Sequence, residues 1–210
     1  MTSQRLRITF RKDEGARFLS HLDLMATFEY AVRRARLPIE LSEGFNPRPR
    51  MSVAAPLALG HIGEAEILEM TLRETVPTET VRQRFQGSVP PGIAIHSVEE
   101  IVGAQKPAAS RLHSAGYRVE LSAPVADLRK RVETALALST IELEEIRQDR
   151  VRTRNIRPLI LSLRASGWHE LAMVVRLDSE GTVRPEQVLQ ALSIPVEGAR
   201  VFRERIELKA

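Results

Sequence analysis

A short loop between residues 42 and 50 brings two arginines and an aromatic ring together. It reads Ser-Glu-Gly-Phe-Asn-Pro-Arg-Pro-Arg, and its prolines favour extended backbone at Asn46 and Arg48. In an extended chain Arg48 and Arg50 project to the same side, which predicts a rigid pair of guanidinium groups beside Phe45. Guanidinium groups bind phosphates and aromatic rings stack on bases, so the loop is typical of a site for single-stranded RNA. The structural alternative is a crossover whose prolines only prevent strand-edge pairing.

More arginine lies at the end of the preceding helical pattern, at positions 33, 34 and 36. The helix dipole favours positive charge there, and a phosphate-binding patch would use the same residues. The predicted nucleic-acid-binding set is Arg33, Arg34, Phe45, Asn46, Arg48 and Arg50. A second basic run, residues 147–157, fits either a charged edge strand or a nucleic-acid groove.

A few side chains are candidates for proton transfer. His21 and Asp23 follow Ser20 at the predicted start of the helix, and His61 follows a Pro-Leu-Ala-Leu-Gly turn. Histidine titrates near neutrality, so His21 or His61 is a candidate general base, with Asp23 or Ser42 assisting. The spacing of Ser20 and Asp23 also predicts a helix capping box, and His61 is expected at the surface.

The sequence gives little support for a metal or cofactor site. It contains no cysteine, which excludes disulfides, Cys-ligated zinc and Cys-ligated iron–sulfur clusters. Glu64, Glu66 and Glu69 resemble a metal-binding set, but strand alternation places Glu69 on the face opposite the other two. We therefore predict no metal and no cofactor.

Composition indicates a globular protein, with 43% hydrophobic and 28% charged residues in a chain of 210. No apolar run approaches the roughly 18 residues of a membrane helix, and the first ten residues lack the apolar core of a signal peptide. A cytoplasmic location without a membrane partner is therefore expected. The net charge of +4 is too small to indicate nucleic-acid binding by itself.

The elements that would position these residues repeat once along the chain. Residues 1–103 predict strand, helix, two strands, helix and strand, and residues 115–210 repeat that order. Residues 104–114 are small, polar and interrupted by proline, as in a linker. The expected fold is α+β, with tandem ferredoxin-like (βαββαβ) halves and antiparallel sheets.

The segment from Arg17 to Gly60, and above all its SEGFNPRP string, resembles a family of uncharacterised domains associated with radical SAM enzymes. Members of that family occur alone or fused C-terminal to a radical SAM protein. The resemblance covers nearly the whole chain and is weaker over residues 155–160 and 184–192. It implies a radical SAM enzyme as the working partner. The chain itself has no cysteine to hold that enzyme's cluster.

The favoured hypothesis is a non-catalytic module that binds tRNA or rRNA for a separate radical SAM modifying enzyme. One alternative is a metal-independent RNA-acting enzyme, because tandem halves of this kind resemble CRISPR-type RNA-processing endonucleases and tRNA pseudouridine synthases in fold. The other alternative is a scaffold whose proline–arginine loop docks on the radical SAM partner.

Overall fold

The computed structural model describes residues 3–147 and 150–209. The chain divides into two compact units. Unit 1 runs to Leu112 and includes the C-terminal end from Leu208, and unit 2 spans His113–Glu207. The prediction of an α+β protein is confirmed, since helices and antiparallel strand pairs occur in both units.

Unit 1 has four strands and two helices in the order β-α-β-β-α-β. They are β1 (Gln4–Lys12), α1 (His21–Arg34), β2 (Met51–Val53), β3 (Ile62–Leu72), α2 (Thr78–Gln86) and β4 (Ile93–Glu100). The strands lie side by side in the order β2-β3-β1-β4, and each neighbouring pair is antiparallel. Phe28 of α1 packs between Phe10 and Phe85 at ring distances of 5.0 and 5.7 Å, so both helices cover one face of this sheet.

Unit 2 contains the remaining elements. They are β5 (Leu112–Glu120), α3 (Leu128–Ala137), β6 (Glu142–Arg147), β7 (Arg150–Asn155), β8 (Ile160–Ser166), β9 (Glu170–Asp178), β10 (Gly181–Thr182), α4 (Pro185–Ala191) and β11 (Arg200–Leu208). Strand β9 pairs antiparallel with β5 on one side and with β8 and β10 on the other. Strand β11 is the other neighbour of β5, and β6 and β7 form a separate hairpin.

Helix α1 begins with the predicted capping box. Ser20 Oγ accepts the Asp23 N–H at 3.2 Å, and the Asp23 carboxylate accepts the Ser20 N–H at 3.2 Å. The arrangement satisfies backbone donors that the first turn of a helix leaves without partners. The sequence prediction for this helix start is confirmed.

Helices α1 and α4 end in the same way. The residue two beyond each helix adopts a left-handed conformation, with φ of 51° at Arg36 and 55° at Ser193. The next residue, Leu37 or Ile194, donates its N–H to the carbonyl five residues earlier, at 3.2 and 2.9 Å. These are Schellman turns, and glycine usually occupies the left-handed position.

Some predicted strands differ from those observed. The strand expected at residues 39–41 is reduced to two isolated bridges, Ile39 with Leu72 and Leu41 with Pro49. The reason is that Pro49 has no N–H to extend the second bridge into a ladder. The alternation at Ile141 and Leu143 also predicts a strand, which is confirmed as β6 and pairs with β7, whereas β10 was not predicted.

The segment expected as a linker contributes to unit 1. Residues Ala108–Ser110 form a short 3-10 turn, and Ala108 is buried. Its N–H donates to the carboxylate of Glu69 at 3.1 Å, and Arg7 donates to the same carboxylate at 2.8 Å.

In the parts of the chain that the structure describes, no helix is both long and apolar enough to cross a membrane.

Candidate nucleic-acid interface

The Ser42–Arg50 loop is closed by its own backbone. The Ser42 N–H donates to the Arg48 carbonyl at 2.8 Å, and Ser42 Oγ accepts the Arg48 N–H at 3.0 Å. Gly44 has φ of 121°, which side chains rarely allow, so this turn requires glycine. The Phe45 ring at the tip is fully exposed. The loop therefore presents an aromatic ring to solvent from a base held by hydrogen bonds.

A cleft of about 740 Å³ lies between the C-terminal half of α1 and this loop. We call it the arginine cleft. Three arginines from three different segments line it, namely Arg33, Arg48 and Arg73. Glu29 and Asn46 add a carboxylate and an amide. The cleft thus offers several charge-assisted donors to one ligand.

The chain segment that follows α1 forms the apolar part of the cleft. Leu37 and Ile39 line it while their side chains are anchored in the core, and Leu41 is more exposed. This segment is tied to the end of β3, because the Arg73 N–H donates to the Pro38 carbonyl at 2.8 Å. That pairing brings Arg73 across from the end of α1.

Positive charge in the arginine cleft is mostly uncompensated. Arg33 lies 4.0 Å from the Glu29 carboxylate, and its side chain is 73% exposed. Among the described residues, no carboxylate forms an ion pair with Arg48 or Arg73. Three positive charges and one negative charge give the cleft a net charge of +2. Such a site attracts anions, and guanidinium groups bind phosphates and carboxylates in two-point geometry.

The structure divides the predicted set of six residues among different surfaces. Arg33, Asn46 and Arg48 meet in the arginine cleft. Arg50 forms an ion pair with Glu40 and lines a second cleft of about 470 Å³. Arg48 and Arg50 therefore line different clefts, and the Glu40 carboxylate pairs with Arg50 alone of the two.

Arg34 does not line the arginine cleft. It lines a groove of about 620 Å³ with Tyr30, Pro90 and Pro91, on a different face of α1 from Arg33. Consecutive helix residues are about 100° apart, so neighbouring arginines serve different surfaces. Arg73 was missed by sequence reasoning, since its place in the cleft depends on a backbone pairing that residue spacing does not reveal.

A family comparison adds to this geometry. The sequence profile of a family described as "Uncharacterized protein conserved in bacteria (DUF2344)" matches residues 5–185. The chain belongs to this family. The matched range includes the whole Ser42–Arg50 loop and every segment that lines the arginine cleft.

Comparisons beyond the DUF2344 family give little further information. Among curated proteins, none matches the sequence. Among solved structures, the chain is similar to a crystal structure titled "Crystal Structure of an Unknown Protein from Galdieria sulphuraria". The two are 16% identical with a TM-score of 0.30, and the match covers 100% of each chain.

In this DUF2344 protein, the candidate base His21 and its neighbour Asp23 have separate environments. The hydrogen bond from the Ser20 hydroxyl, together with that from the Ser20 N–H, lowers the pKa of Asp23 below its usual value. Asp23 therefore acts as an ionised helix cap. His21 Nδ1 is buried, and within the described residues it has no hydrogen-bond partner. The structure shows no hydrogen bond between the two side chains.

His61 is buried, with 5% of its surface exposed, so the expectation of a surface histidine is wrong. The turn before β3 places it there, since the Gly60 N–H donates to the Arg17 carbonyl at 2.9 Å. Lys12 is also buried and donates to the Leu19 carbonyl at 3.0 Å. These contacts anchor one end of the unit 1 sheet against the start of α1.

The three glutamates do not form a metal-binding set. Glu66 is buried, and its side chain fills the space beside Gly63, where a Cβ would lie 2.5 Å from its Cγ. Glu69 instead accepts from Arg7 and Ala108. Across the described ranges, no group of three or more His, Asp or Glu side chains is placed to hold a metal ion.

The second basic run and the single tryptophan lie in unit 2. Arg152 and Arg154 belong to β7, where their backbones pair with Glu145 and Leu143 of β6. Arg152 is exposed, and the side chain of Arg150 lies outside the described residues. Trp168 is 65% exposed at the tip between β8 and β9. The run thus forms part of a charged hairpin.

Proposed function

We propose that this DUF2344 protein is a non-catalytic RNA-binding accessory protein that serves a separate radical SAM enzyme. The observation that carries the RNA-binding part is the arginine cleft, where Arg33, Arg48 and Arg73 face one carboxylate. Arginines that only stabilise a fold are usually paired with carboxylates or carbonyls. Arg48 and Arg73, which form no ion pair with any described carboxylate, are available in this cleft to an external anion.

The ligand that fits is single-stranded RNA. The arginines bind phosphate, and the apolar wall formed by Leu37 and Ile39 accepts a ribose or a base. The exposed Phe45 ring stacks on a neighbouring base. Bases of single strands are free to stack on aromatic side chains, whereas those of a duplex are already stacked on each other.

The radical SAM partner is inferred from the resemblance of residues 17–60, and an exposed apolar surface supports a protein partner of some kind. Phe18, Leu22 and Leu59 are 66, 78 and 63% exposed. The hydrogen bond from Gly60 to the Arg17 carbonyl brings Leu59 close to Phe18. Exposed apolar clusters mark protein contacts more often than scattered single residues do. This surface favours a scaffold as the second candidate function, with docking through Phe18, Leu22 and Leu59 in place of the proline–arginine loop expected from the sequence.

The strand order supports a ferredoxin-like assignment for each unit. In unit 1, β1 lies between β3 and β4, and β2 is at the edge. In unit 2, β5 lies between β9 and β11, with β8 beyond β9. Both arrangements follow the split βαβ pattern, with the β6–β7 hairpin inserted in the second.

Salt-dependent binding of single-stranded RNA tests the proposed function. Fluorescence anisotropy with a labelled oligonucleotide would compare the wild type with the double variant Arg33→Ala/Arg48→Ala over about 50 to 200 mM salt. The slope of log affinity against log salt should fall by about 0.7 for each phosphate that the variant no longer binds. Arg82→Ala is the control, because Arg82 is engaged by Glu79 on α2.

The outcomes separate the candidates. No binding by the wild type at the lowest salt would overturn RNA binding. An unchanged slope in the double variant would move the site away from the arginine cleft. Association with the radical SAM protein that survives nuclease treatment and is abolished in Leu22→Glu would favour the scaffold. RNA cleavage or base isomerisation abolished by His21→Ala would favour the enzyme.

A further inference from the structure

We infer that the arginine cleft binds a terminal phosphate monoester of an RNA strand rather than an internal phosphodiester. This inference rests on the proposed function, because it names the part of the RNA that the same cleft accepts. Three features of the cleft support the inference: its charge, the placement of its donors and its size.

The charge of the cleft matches a phosphate monoester. An internal phosphodiester carries one negative charge, whereas a monoester carries about −1.5 to −2 at pH 7 because its second pKa is about 6. The cleft has a net charge of +2, from Arg33, Arg48 and Arg73 against Glu29. A diester would leave about one positive charge in the cleft uncompensated.

The arginines that line the cleft come from three separate chain segments. Arg33 comes from α1, Arg48 from the loop and Arg73 from the residue after β3. A monoester has three terminal oxygens that accept hydrogen bonds, while a diester has two and continues into the chain on both sides. Arginines from three separate segments therefore suit a phosphate at the end of an RNA strand, where all three terminal oxygens can accept hydrogen bonds.

The size of the cleft suits one nucleotide. Its volume of about 740 Å³ lies within the range of small-molecule sites. The apolar wall at Leu37 and Ile39 accepts the terminal nucleoside, and the Asn46 amide offers a donor and an acceptor to a base edge. Phe45 is fully exposed at the loop tip and is placed to stack on the next base of the strand.

The test compares oligonucleotides that differ only at their ends. One RNA sequence would be prepared with a 5′-phosphate, with a 3′-phosphate and with hydroxyls at both ends, and binding measured by anisotropy at fixed salt. We expect one phosphorylated form to bind at least about tenfold tighter than the hydroxyl form. The advantage should shrink as the pH falls below about 6, where the monoester loses its second charge. The hydroxyl form controls for titration of the protein.

Two variants test whether the preference for a phosphorylated end depends on the arginine cleft. Arg73→Ala should abolish the preference for a phosphorylated end, and Arg50→Ala should retain it, because Arg50 is held by Glu40 and lines another cleft. Arg73 is exposed, so its side chain can be removed without opening the core. Thermal unfolding of each variant would verify that it is folded.

Each outcome of the oligonucleotide comparison decides for or against the binding of a terminal phosphate. Equal binding of all three oligonucleotides would overturn the inference and leave RNA binding intact. Absence of binding by all three would overturn the proposed function as well. Retention of the preference in Arg73→Ala would also overturn the inference. Competition by a free 5′-mononucleotide at the same concentration as the phosphorylated oligonucleotide would keep the phosphate chemistry but overturn the RNA end as its source.

Discussion

The arginine cleft in unit 1 and the surroundings of Arg118 in unit 2 use arginine in opposite ways. In unit 1, Arg48 and Arg73 border the arginine cleft without an ion-pair partner among the described residues. In unit 2, Arg118 forms ion pairs with Glu120, Glu204 and Glu170, and its guanidinium lies 3.9 Å from the Phe202 ring centre. Arginine content therefore does not indicate function by itself. What distinguishes a binding surface is whether the protein already supplies the counter-charge.

The C-terminal ends of α4 and α1 show the same contrast between an arginine with protein partners and an exposed arginine. In unit 2, Arg131 donates to the carbonyls of Leu192 and Ser193 at 3.1 and 2.7 Å, which caps the end of α4 from a neighbouring helix. In unit 1, the corresponding turn after α1 lies beside Arg33, whose side chain is mostly exposed and borders the cleft. One arginine completes a helix end, and the other remains accessible to a ligand.

The largest expected effect is the loss of RNA affinity when all three cleft arginines are replaced. Each charge-assisted contact contributes about 1.5 kcal/mol or more, and about 1.4 kcal/mol is tenfold in affinity. The triple variant Arg33→Ala/Arg48→Ala/Arg73→Ala should thus bind RNA at least about 1,000-fold more weakly. Its unfolding free energy should change by less than about 1 kcal/mol, as measured by urea denaturation.

A charge-matched triple variant is the control for that measurement. Arg50 and Arg205 are exposed, Arg82 is half-buried, and all three already pair with carboxylates. Replacing these three arginines removes the same net charge as the cleft variant. Their replacement by alanine should weaken RNA binding less than tenfold. An equal loss in both triple variants would show that overall charge, and not the cleft, determines affinity.

The next largest effect is expected on stability in unit 2. Arg118→Ala leaves three carboxylates close together and removes the cation from the face of Phe202. We expect a loss of about 2 kcal/mol in unfolding free energy, with RNA affinity unchanged. Arg118→Lys should recover part of this loss, because it restores the charge without the planar fork. A loss below about 0.5 kcal/mol would show that the carboxylates do not depend on Arg118.

A smaller effect is expected at the two left-handed positions. Arg36→Gly and Ser193→Gly each relieve an unfavourable backbone conformation, while glycine adds entropy to the unfolded chain. The net gain should be about 0.5 to 1 kcal/mol in each unit by urea denaturation. Because Arg36 does not line the arginine cleft, its replacement should leave RNA affinity within about twofold. A large loss of affinity would extend the binding surface beyond the cleft.

The smallest effect concerns an exposed ion pair and its pH dependence. Hydrogen bonds from Arg82 and then Gln83 lower the pKa of Glu79 from 4.5 to about 2. A carboxyl whose pKa is lowered by folding stabilises the protein above its unfolded value, and that contribution is lost as the pH falls towards 2. The difference in Tm between wild type and Glu79→Gln should therefore be small near neutrality and disappear at low pH. A Tm difference that increases as the pH falls would contradict the ion pair between Glu79 and Arg82.

Local patterns in the sequence predicted local structure well. The Ser20–Asp23 spacing predicted a capping box that the structure confirms, and the alternation in residues 5–11 predicted β1. These features depend on neighbours within a few positions. The cleft depends on contacts between distant segments, since Arg73 reaches it through pairing with Pro38. Burial of His61 likewise follows from the bond between Gly60 and Arg17.

The Ser42–Arg48 closure has a consequence for how this protein could diversify. Two hydrogen bonds at the base set the path of the loop, while Phe45 at its tip remains fully exposed. Apart from Gly44, residues between the closing pair can be exchanged without repacking the core, much as antibody loops vary on a constant framework. Transplanting residues 43–47 from one family member to another is thus a route to altered base preference on an unchanged scaffold.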